Sequence, residues 1–226
     1  YISTFVVNVE KTYPPQVAGF PFNTGSPIRC APTIADLDKD GIADIIIGNE
    51  AGYINAIKLA LPDADATSAA TLPGWPVNAN GEAIREAVAV GDIDGSGTNS
   101  VVAVSEGGNL FAWKADGTPW GTNGLIWSRA NSSMRLLSAP VLVDLNNDGA
   151  KEIVIGGQNI DGIDTWGLLY AFNYQGSAIG AFGTGSTTLL GPINAAPAVG
   201  NITGDDTPEV IVTTQGGEMA VFDSVG

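Results

Sequence analysis

The chain has 226 residues, and its 24 acidic against nine basic side chains give a formal net charge of −15 at pH 7. This sign repels nucleic-acid phosphates and anionic lipid surfaces, so both are poor partners. Hydrophobic residues make up 44%, which is enough for a folded core, while 30 glycines favour short strands and tight turns over long surface helices. No stretch approaches the roughly 18 apolar residues of a membrane span.

The first sixteen residues are expected to form a separate N-terminal strand or linker ahead of a repeat domain at residues 17–226. Residues 1–9, YISTFVVNV, resemble a β-strand, and their role is self-assembly at a sheet edge of another subunit, an extra strand, or a tether. Residues 17–23, VAGFPFN, match LPGWPVN at residues 72–78, which is the predicted fourth strand of a repeat. The start of the chain is therefore expected to complete the last repeat and close a ring.

Four acidic segments recur along the chain and define its organisation. They begin at Asp36, Asp92, Asp144 and Asn201, so successive starts are separated by 56, 52 and 57 residues. A unit of this length holds four strands of about five residues with their turns. The sequence therefore predicts an all-β fold, a β-propeller built from four repeats of 52–57 residues. A sandwich of two packed sheets is the alternative fold.

The first and third acidic segments carry the pattern of a calcium loop. Oxygen ligands at alternating positions, a glycine at position 6 and a backbone carbonyl at position 7 form the kind of cage that a hard cation prefers. In the first loop the predicted ligands are Asp36, Asp38, Asp40, the Ile42 carbonyl and Asp44. In the third loop they are Asp144, Asn146, Asp148, the Ala150 carbonyl and Glu152.

The second and fourth segments carry fewer acidic residues, so weaker calcium sites are expected there. The candidates in the second loop are Asp92, Asp94, Ser96, Thr98 and Ser100. Those in the fourth are Asn201, Thr203, Asp205, Thr207 and Glu209, without a glycine at position 6. A hydrogen-bonded turn without metal is the alternative for both loops.

The third repeat carries a seven-residue insertion in its second hairpin. Asp161, Asp164 and Trp166 lie on this insertion and are the candidates for contact with a ligand, because functional contacts tend to lie on loops carried by a rigid scaffold. A longer hairpin without a ligand is the alternative. Trp75 and Trp113 fall at repeat positions and are predicted to pack between sheets rather than to bind sugars.

The acidic loop D-x-D-x-D-G-x-x-D, the aliphatic strand after it and the P-G-W-P segment at residues 73–76 together resemble the FG-GAP/VCBS family of propeller repeats. The resemblance implies blades that bind Ca²⁺ in the loop between their first two strands. It also implies a secreted or cell-surface protein used in adhesion, ligand binding or scaffolding. Rings of this family usually have about seven blades, so the four repeats form either a small ring or part of a larger one.

The chain contains no histidine, which excludes Ser-His-Asp and Cys-His catalysis. Carboxylate pairs remain as candidates, but Glu82, Glu86, Glu106 and Glu218 are single acids on predicted turns or strands. The expected function is therefore an extracellular binding or adhesion module for a protein or glycan rather than an enzyme. A structural subunit of an extracellular filament or assembly is the first alternative, and a carbohydrate-active enzyme is the second.

Overall fold

The computed structural model describes residues 19–58, 69–131, 134–160, 166–183, 189–224 and 226. These residues form seventeen β-strands and two short 3-10 helices, Arg129–Asn131 and Ala181–Gly183. Every strand pair among them is antiparallel. The predicted all-β fold is confirmed, whereas the proposed N-terminal strand or linker at residues 1–16 lies outside the described residues. No helix in the described ranges is long and apolar enough to cross a membrane.

The strands form four separate sheets, and each sheet contains one acidic segment. Sheet 1 consists of β1 (Thr33–Ala35), β2 (Asp44–Gly48), β3 (Tyr53–Lys58), β4 (Ala70–Thr71) and β5 (Val77–Asn78). Sheet 2 consists of β6 (Ala89–Gly91), β7 (Ser100–Val104), β8 (Leu110–Lys114) and β9 (Leu125–Trp127). Sheet 3 consists of β10 (Met134–Leu136), β11 (Val141–Val143), β12 (Glu152–Asn159), β13 (Trp166–Phe172) and β14 (Leu189–Leu190). Sheet 4 consists of β15 (Ala198–Gly200), β16 (Glu209–Thr213) and β17 (Met219–Phe222).

The apolar runs of the sequence form strands that are buried on both faces. Successive side chains of a strand point to opposite faces, so a run such as Ile45–Ile47 supplies both. Ile46 packs in the core shared with sheet 2, while Ile45 and Ile47 pack on the other side of sheet 1. In sheets 2 to 4, we call the side that faces the preceding sheet the backward face. In sheet 1 the backward face is the side away from sheet 2, and in every sheet the opposite side is the forward face.

The same alternation builds three successive cores. Between sheets 1 and 2, Ile46 and Ile54 pack with Phe111 and Trp113. Sheets 2 and 3 share a second core, and sheets 3 and 4 share a third. Trp75 and Trp113, which are 6% and 2% exposed, both lie in the first core, as the sequence predicts. The described strands thus form four sheets stacked in chain order, and not the two packed sheets of a sandwich.

Residues 19–23, the described part of the segment that is expected to close a ring, do not pair with sheet 4. Within the described ranges, β17 is hydrogen-bonded to β16 only, and sheet 4 has three strands. Residues Phe20 and Phe22 instead pack on the backward face of sheet 1, against Ile47 and Ile57. Among the described residues, the stack of four sheets is therefore not closed by this segment.

Candidate metal centres and a charged cleft

The acidic loops occupy equivalent places in the four sheets. Each joins the central strand of a sheet to the strand that precedes it in the chain, as residues 36–43 do between β1 and β2. Each loop also contacts its neighbour along the stack: the Asn99 side-chain amide donates to the Asp36 carbonyl (2.8 Å), and the Lys151 amide donates to the Asp92 carbonyl (3.1 Å). The four loops therefore form a row at one edge of the stack, where each can influence the next.

The first loop brings three predicted ligands together. One carboxylate oxygen from each of Asp36, Asp38 and Asp40 lies within 4.8 Å of the other two. The turn is held by backbone amides, since the Asp36 carboxylate accepts from Asp40 (3.0 Å) and from Gly41 (2.9 Å). Gly41 has a φ of 90°, a conformation that glycine adopts without steric cost. The Ile42 amide donates to the Asp40 carboxylate (2.9 Å), which orders the residue whose carbonyl is the predicted fifth ligand.

Asp44, the fourth carboxylate of this loop, is fully buried at the start of β2. Its Oδ2 accepts the Leu37 amide proton (3.0 Å), but its buried Oδ1 has no hydrogen-bond partner. Burial raises the pKa of Asp44, and the neighbouring charges of Asp38 and Asp40 raise it further. A buried carboxylate oxygen without a partner costs free energy unless a cation or donor meets it. The donor set of the first loop therefore fits a hard divalent cation.

Lys58 lies beside this loop, a contact that the sequence analysis missed. Its ammonium group donates to Asp38 Oδ2 (2.8 Å) and makes a close ion pair with Asp40. These contacts raise the pKa of Lys58 and lower the pKa of Asp40. The signal was present in the repeat, because Ile57 pairs with Ile45 and the residue after it returns to the loop end of β2. A lysine here partly neutralises the loop and competes with any bound cation.

The third loop repeats this backbone arrangement. Asp144 accepts from the amides of Asp148 (3.1 Å) and Gly149 (2.9 Å), and Gly149 has a φ of 91°. Glu152 is 3% exposed and accepts the Leu145 amide proton (2.8 Å), as Asp44 does in the first loop. Burial raises the pKa of Glu152, and nearby acidic charges add to this effect. The remaining predicted ligands of this loop, Asn146 and Ala150, are hydrogen-bonded within it.

The second loop keeps the turn but changes the ninth position. Asp92 accepts from Gly97 (2.6 Å), Asp94 accepts from Ser96 (3.2 Å), and the hydroxyls of Ser96 and Thr98 lie 2.7 Å apart. Ser100 is buried, and its hydroxyl oxygen accepts a hydrogen bond from the Trp120 indole (3.1 Å). The hydroxyl oxygen at the ninth position is thus hydrogen-bonded to a tryptophan that lies outside the loop.

In the fourth loop, hydrogen bonds satisfy the acidic side chains locally. Glu209 accepts from the Ile202 amide (2.7 Å) and from the Thr203 hydroxyl (2.8 Å), and these bonds lower its pKa. Asp205 accepts from both the amide and the hydroxyl of Thr207, each at 2.9 Å. Asn201 accepts the Gly204 amide proton (2.7 Å). The carboxylate oxygens of Glu209 therefore have partners without a metal, in contrast to Asp44.

The proposed ligand-binding insertion is described only at its end. Asp161 and Asp164 lie outside the described residues. Trp166 is the first residue of β13, is 37% exposed, and pairs with Leu190 of β14. An exposed aromatic ring at a strand end can contact a ligand, and Trp166 is the one candidate of this insertion that the structure describes.

A charged cleft, also missed by the sequence analysis, lies at the opposite ends of the central strands from the acidic loops. It measures about 300 Å³ and is lined by Arg85, Glu86, Glu106, Arg135 and Asn194 among others. Arg85 makes two hydrogen bonds to Glu50 (2.8 and 2.9 Å) and a close ion pair with Glu106. Arg135 donates to the Glu106 carbonyl (2.6 Å), while its buried Nε has no hydrogen-bond partner. Two arginines thus converge on one cleft of a strongly acidic protein.

No family model matches the chain, and neither does any curated protein. Solved structures do. The crystal structure of BBS1N in complex with ARL6DN, soaked with lead, is 11% identical with a TM-score of 0.51. The alignment covers 88% of this chain and 57% of that one. The fold is β-propeller-like. The same complex soaked with mercury is 14% identical over 88% of this chain and 65% of that one, with a TM-score of 0.34.

At these identities the similarity concerns the fold alone. The chain spans a little over half the length of the first of these structures. The FG-GAP/VCBS resemblance and the calcium ligands therefore remain predictions from the sequence.

Proposed function

We propose that this chain is a calcium-stabilised, propeller-like module that binds a protein partner outside the cell. The proposal rests on one observation above all, the partnerless buried Oδ1 of Asp44 beside three clustered loop carboxylates. Asp36, Asp38, Asp40, Asp44 and the Ile42 carbonyl would hold the first ion. The corresponding residues of the third loop would hold a second, because Glu152 is buried among like charges in the same way.

A bound Ca²⁺ supplies positive charge and oxygen coordination. It would neutralise the loop acids and tie the start of β2 to the end of β1, since Asp44 and Asp36 belong to opposite sides of that connection. In the second and fourth loops, Ser100 and Glu209 already have hydrogen-bond partners. Calcium is therefore expected to bind there more weakly. Bound calcium would make the scaffold more rigid.

The partner is proposed to dock at the charged cleft, on the side of the stack away from the loops. Arginine is favoured in protein interfaces because its planar group makes several directed hydrogen bonds. Arg85 and Arg135 meet there beside Glu86, whose pKa is raised by burial. A protein partner is favoured over a glycan because BBS1N, the fold relative, is seen in complex with a protein, ARL6DN.

Calorimetric titration of chelator-treated protein with Ca²⁺ tests the metal part of the proposal. The expected result is at least one saturable site that Asp36→Asn weakens strongly and that Glu218→Gln, which removes one negative charge outside the acidic loops, leaves unchanged. Mg²⁺ serves as a second control, because it demands a smaller octahedral site. Absence of heat and of any thermal shift with millimolar Ca²⁺ would refute calcium binding.

Display of a cell-surface protein library against the immobilised chain, with and without Ca²⁺, tests the binding part. A genuine partner should be lost with Arg135→Glu and retained with Lys114→Glu, which changes an exposed lysine away from the cleft. If the Arg135 variant retains the same partner, the binding surface lies outside the charged cleft.

A further inference from the structure

The forward face of sheet 4 is apolar but exposed, unlike the same face of every other sheet. Its central positions are Ile211, Met219 and Val221. Met219 is 72% and Val221 48% exposed. The equivalent side chains of the first three sheets are at most 1% exposed: Ile46, Ile54 and Ala56; Val102, Leu110 and Ala112; Val154, Leu169 and Ala171. The repeat therefore places apolar residues in sheet 4 where its neighbours have a covering sheet.

The outer edge of sheet 4 is incomplete as well. In sheets 1, 2 and 3 the strand that follows the central strand pairs with a further short strand at the outer edge. In sheet 1, for example, β3 pairs with β5 through Tyr53–Asn78 and Ile54–Val77. Within the described part of the chain, β17 has no such partner. Exposed strand edges readily accept another strand. In the described ranges, sheet 4 thus has neither a short edge strand nor a sheet that covers its forward face.

One part of the chain carries both missing elements. The segment Gly19–Asn23 matches Gly74–Asn78, which contains β5, at its glycine, proline and asparagine. The glycines that open the two segments also share a backbone conformation, since Gly19 and Gly74 have φ values of 88° and 83°. By this correspondence, Phe22 is equivalent to Val77, which pairs with Ile54 of the third strand.

The backward face of sheet 1 lies directly beneath this segment. Phe20 and Phe22 pack there with Ile45, Ile47 and Ile57, around an open apolar cleft of about 250 Å³. These isoleucines occupy the positions that, in sheets 2 to 4, pack into the forward face of the preceding sheet. This end of the molecule therefore has the surface that the forward face of sheet 4 requires.

A single chain does not bring its two ends together in the structure, because Met219 stays exposed and β17 pairs only with β16 among the described residues. We propose that copies of this chain associate head to tail, with the forward face of sheet 4 in one copy covered by segment Gly19–Asn23 and sheet 1 of another. The junction repeats the packing between consecutive sheets. It places Met219 of one copy opposite Phe22 of the other, as Ile54 lies opposite Val77.

This register is directly testable by a disulfide. Directly opposed residues of antiparallel strands have Cβ atoms about 4.5–5.5 Å apart, close to what a disulfide spans. In a Cys30→Ala background, a Met219→Cys copy mixed with a Phe22→Cys copy should form a covalent dimer under mild oxidation. Neither copy alone should form it. A Met219→Cys copy that instead cross-links to itself would overturn the head-to-tail arrangement.

The double variant Phe22→Cys/Met219→Cys shows whether residues 22 and 219 meet within one chain or between two chains. An internally linked monomer at all protein concentrations would mean that the four sheets close on themselves, which overturns the proposal. A ladder of covalent dimers and larger species supports it.

Sedimentation of the full chain supplies the test without cysteines. The wild-type protein should show a concentration-dependent species larger than a monomer, and Met219→Asp should weaken the association at least about tenfold by placing a charge in an apolar contact. Leu190→Asp is the matched control, because Leu190 is 54% exposed and belongs to sheet 3, which lies on neither side of the junction. A wild-type chain that stays monomeric overturns the proposal. If it associates only after deletion of residues 1–18, the exposed face belongs to that segment of the same chain, which overturns the proposal equally.

Discussion

Asp44→Asn should change the thermal stability of this protein in opposite directions with and without calcium. In chelator, the variant removes a buried charge whose Oδ1 has no partner, while the remaining side-chain oxygen can still accept the Leu37 amide proton. The variant still buries an Nδ2 group at that place, but a neutral amide costs less to bury than an unpaired carboxylate, by about 1–3 kcal/mol. For a chain of this size, a gain of about 1 kcal/mol raises Tm by roughly 2–4 °C. The metal-free variant is therefore expected to melt higher than the metal-free wild type.

With calcium, the same substitution removes a charged ligand and should lower Tm. An ion present at 100 times its Kd stabilises the folded state by about 2.7 kcal/mol. A tenfold weaker Kd removes about 1.4 kcal/mol of this. The variant should therefore gain less from calcium than the wild type does.

Scanning calorimetry in chelator and in excess Ca²⁺ measures both effects. Glu209→Gln is the matched control, because both Glu209 oxygens already have donors. Loss of those bonds should lower Tm in both conditions. If Asp44→Asn lowers Tm equally with and without calcium, Asp44 is a purely structural acceptor and the reasoning fails.

Three further outcomes are expected. Lys58→Gln should lower the metal-free Tm and tighten calcium binding in a calorimetric titration, because it removes the ammonium group beside Asp38; unchanged affinity would mean that no cation competes there. Burial raises the pKa of Glu86, so its ionised form is disfavoured in the folded state, and that cost grows as pH rises from about 4 through the raised pKa. Urea unfolding should therefore show Glu86→Gln more stable than wild type at pH 7, with the difference vanishing near pH 4; a constant difference would contradict this. Gly156→Ala should destabilise by about 1–3 kcal/mol in the same assay, since its Cβ would lie 2.3 Å from Ile193.

The local structure of this protein follows from patterns that can be read along the chain. Apolar runs bounded by glycine and acidic residues specify short strands, and their repetition at nearly constant spacing specifies equivalent sheets with one loop each. The ligand pattern of the first loop was also readable, because Asp36, Asp38 and Asp40 are near neighbours in the chain and one turn brings them together. Such features depend on contacts within a few residues, for which local conformational rules suffice.

Contacts between residues that are distant in the chain depend on how strands and sheets are arranged in space. Lys58 reaches Asp38 through the pairing of β2 with β3, Trp120 takes the oxygen of Ser100, and Arg85 links hairpins of two sheets. The strand pattern is the same whether or not these side chains meet.

The exposure of the forward face of sheet 4 likewise depends on packing between sheets and not on the local sequence pattern. From the sequence, Met219 and Val221 resemble the buried residues of the other repeats, because burial in a stacked sheet depends on the neighbour and not on the strand itself. Only the stacking of the sheets shows that, among the described residues, no neighbouring sheet covers this face.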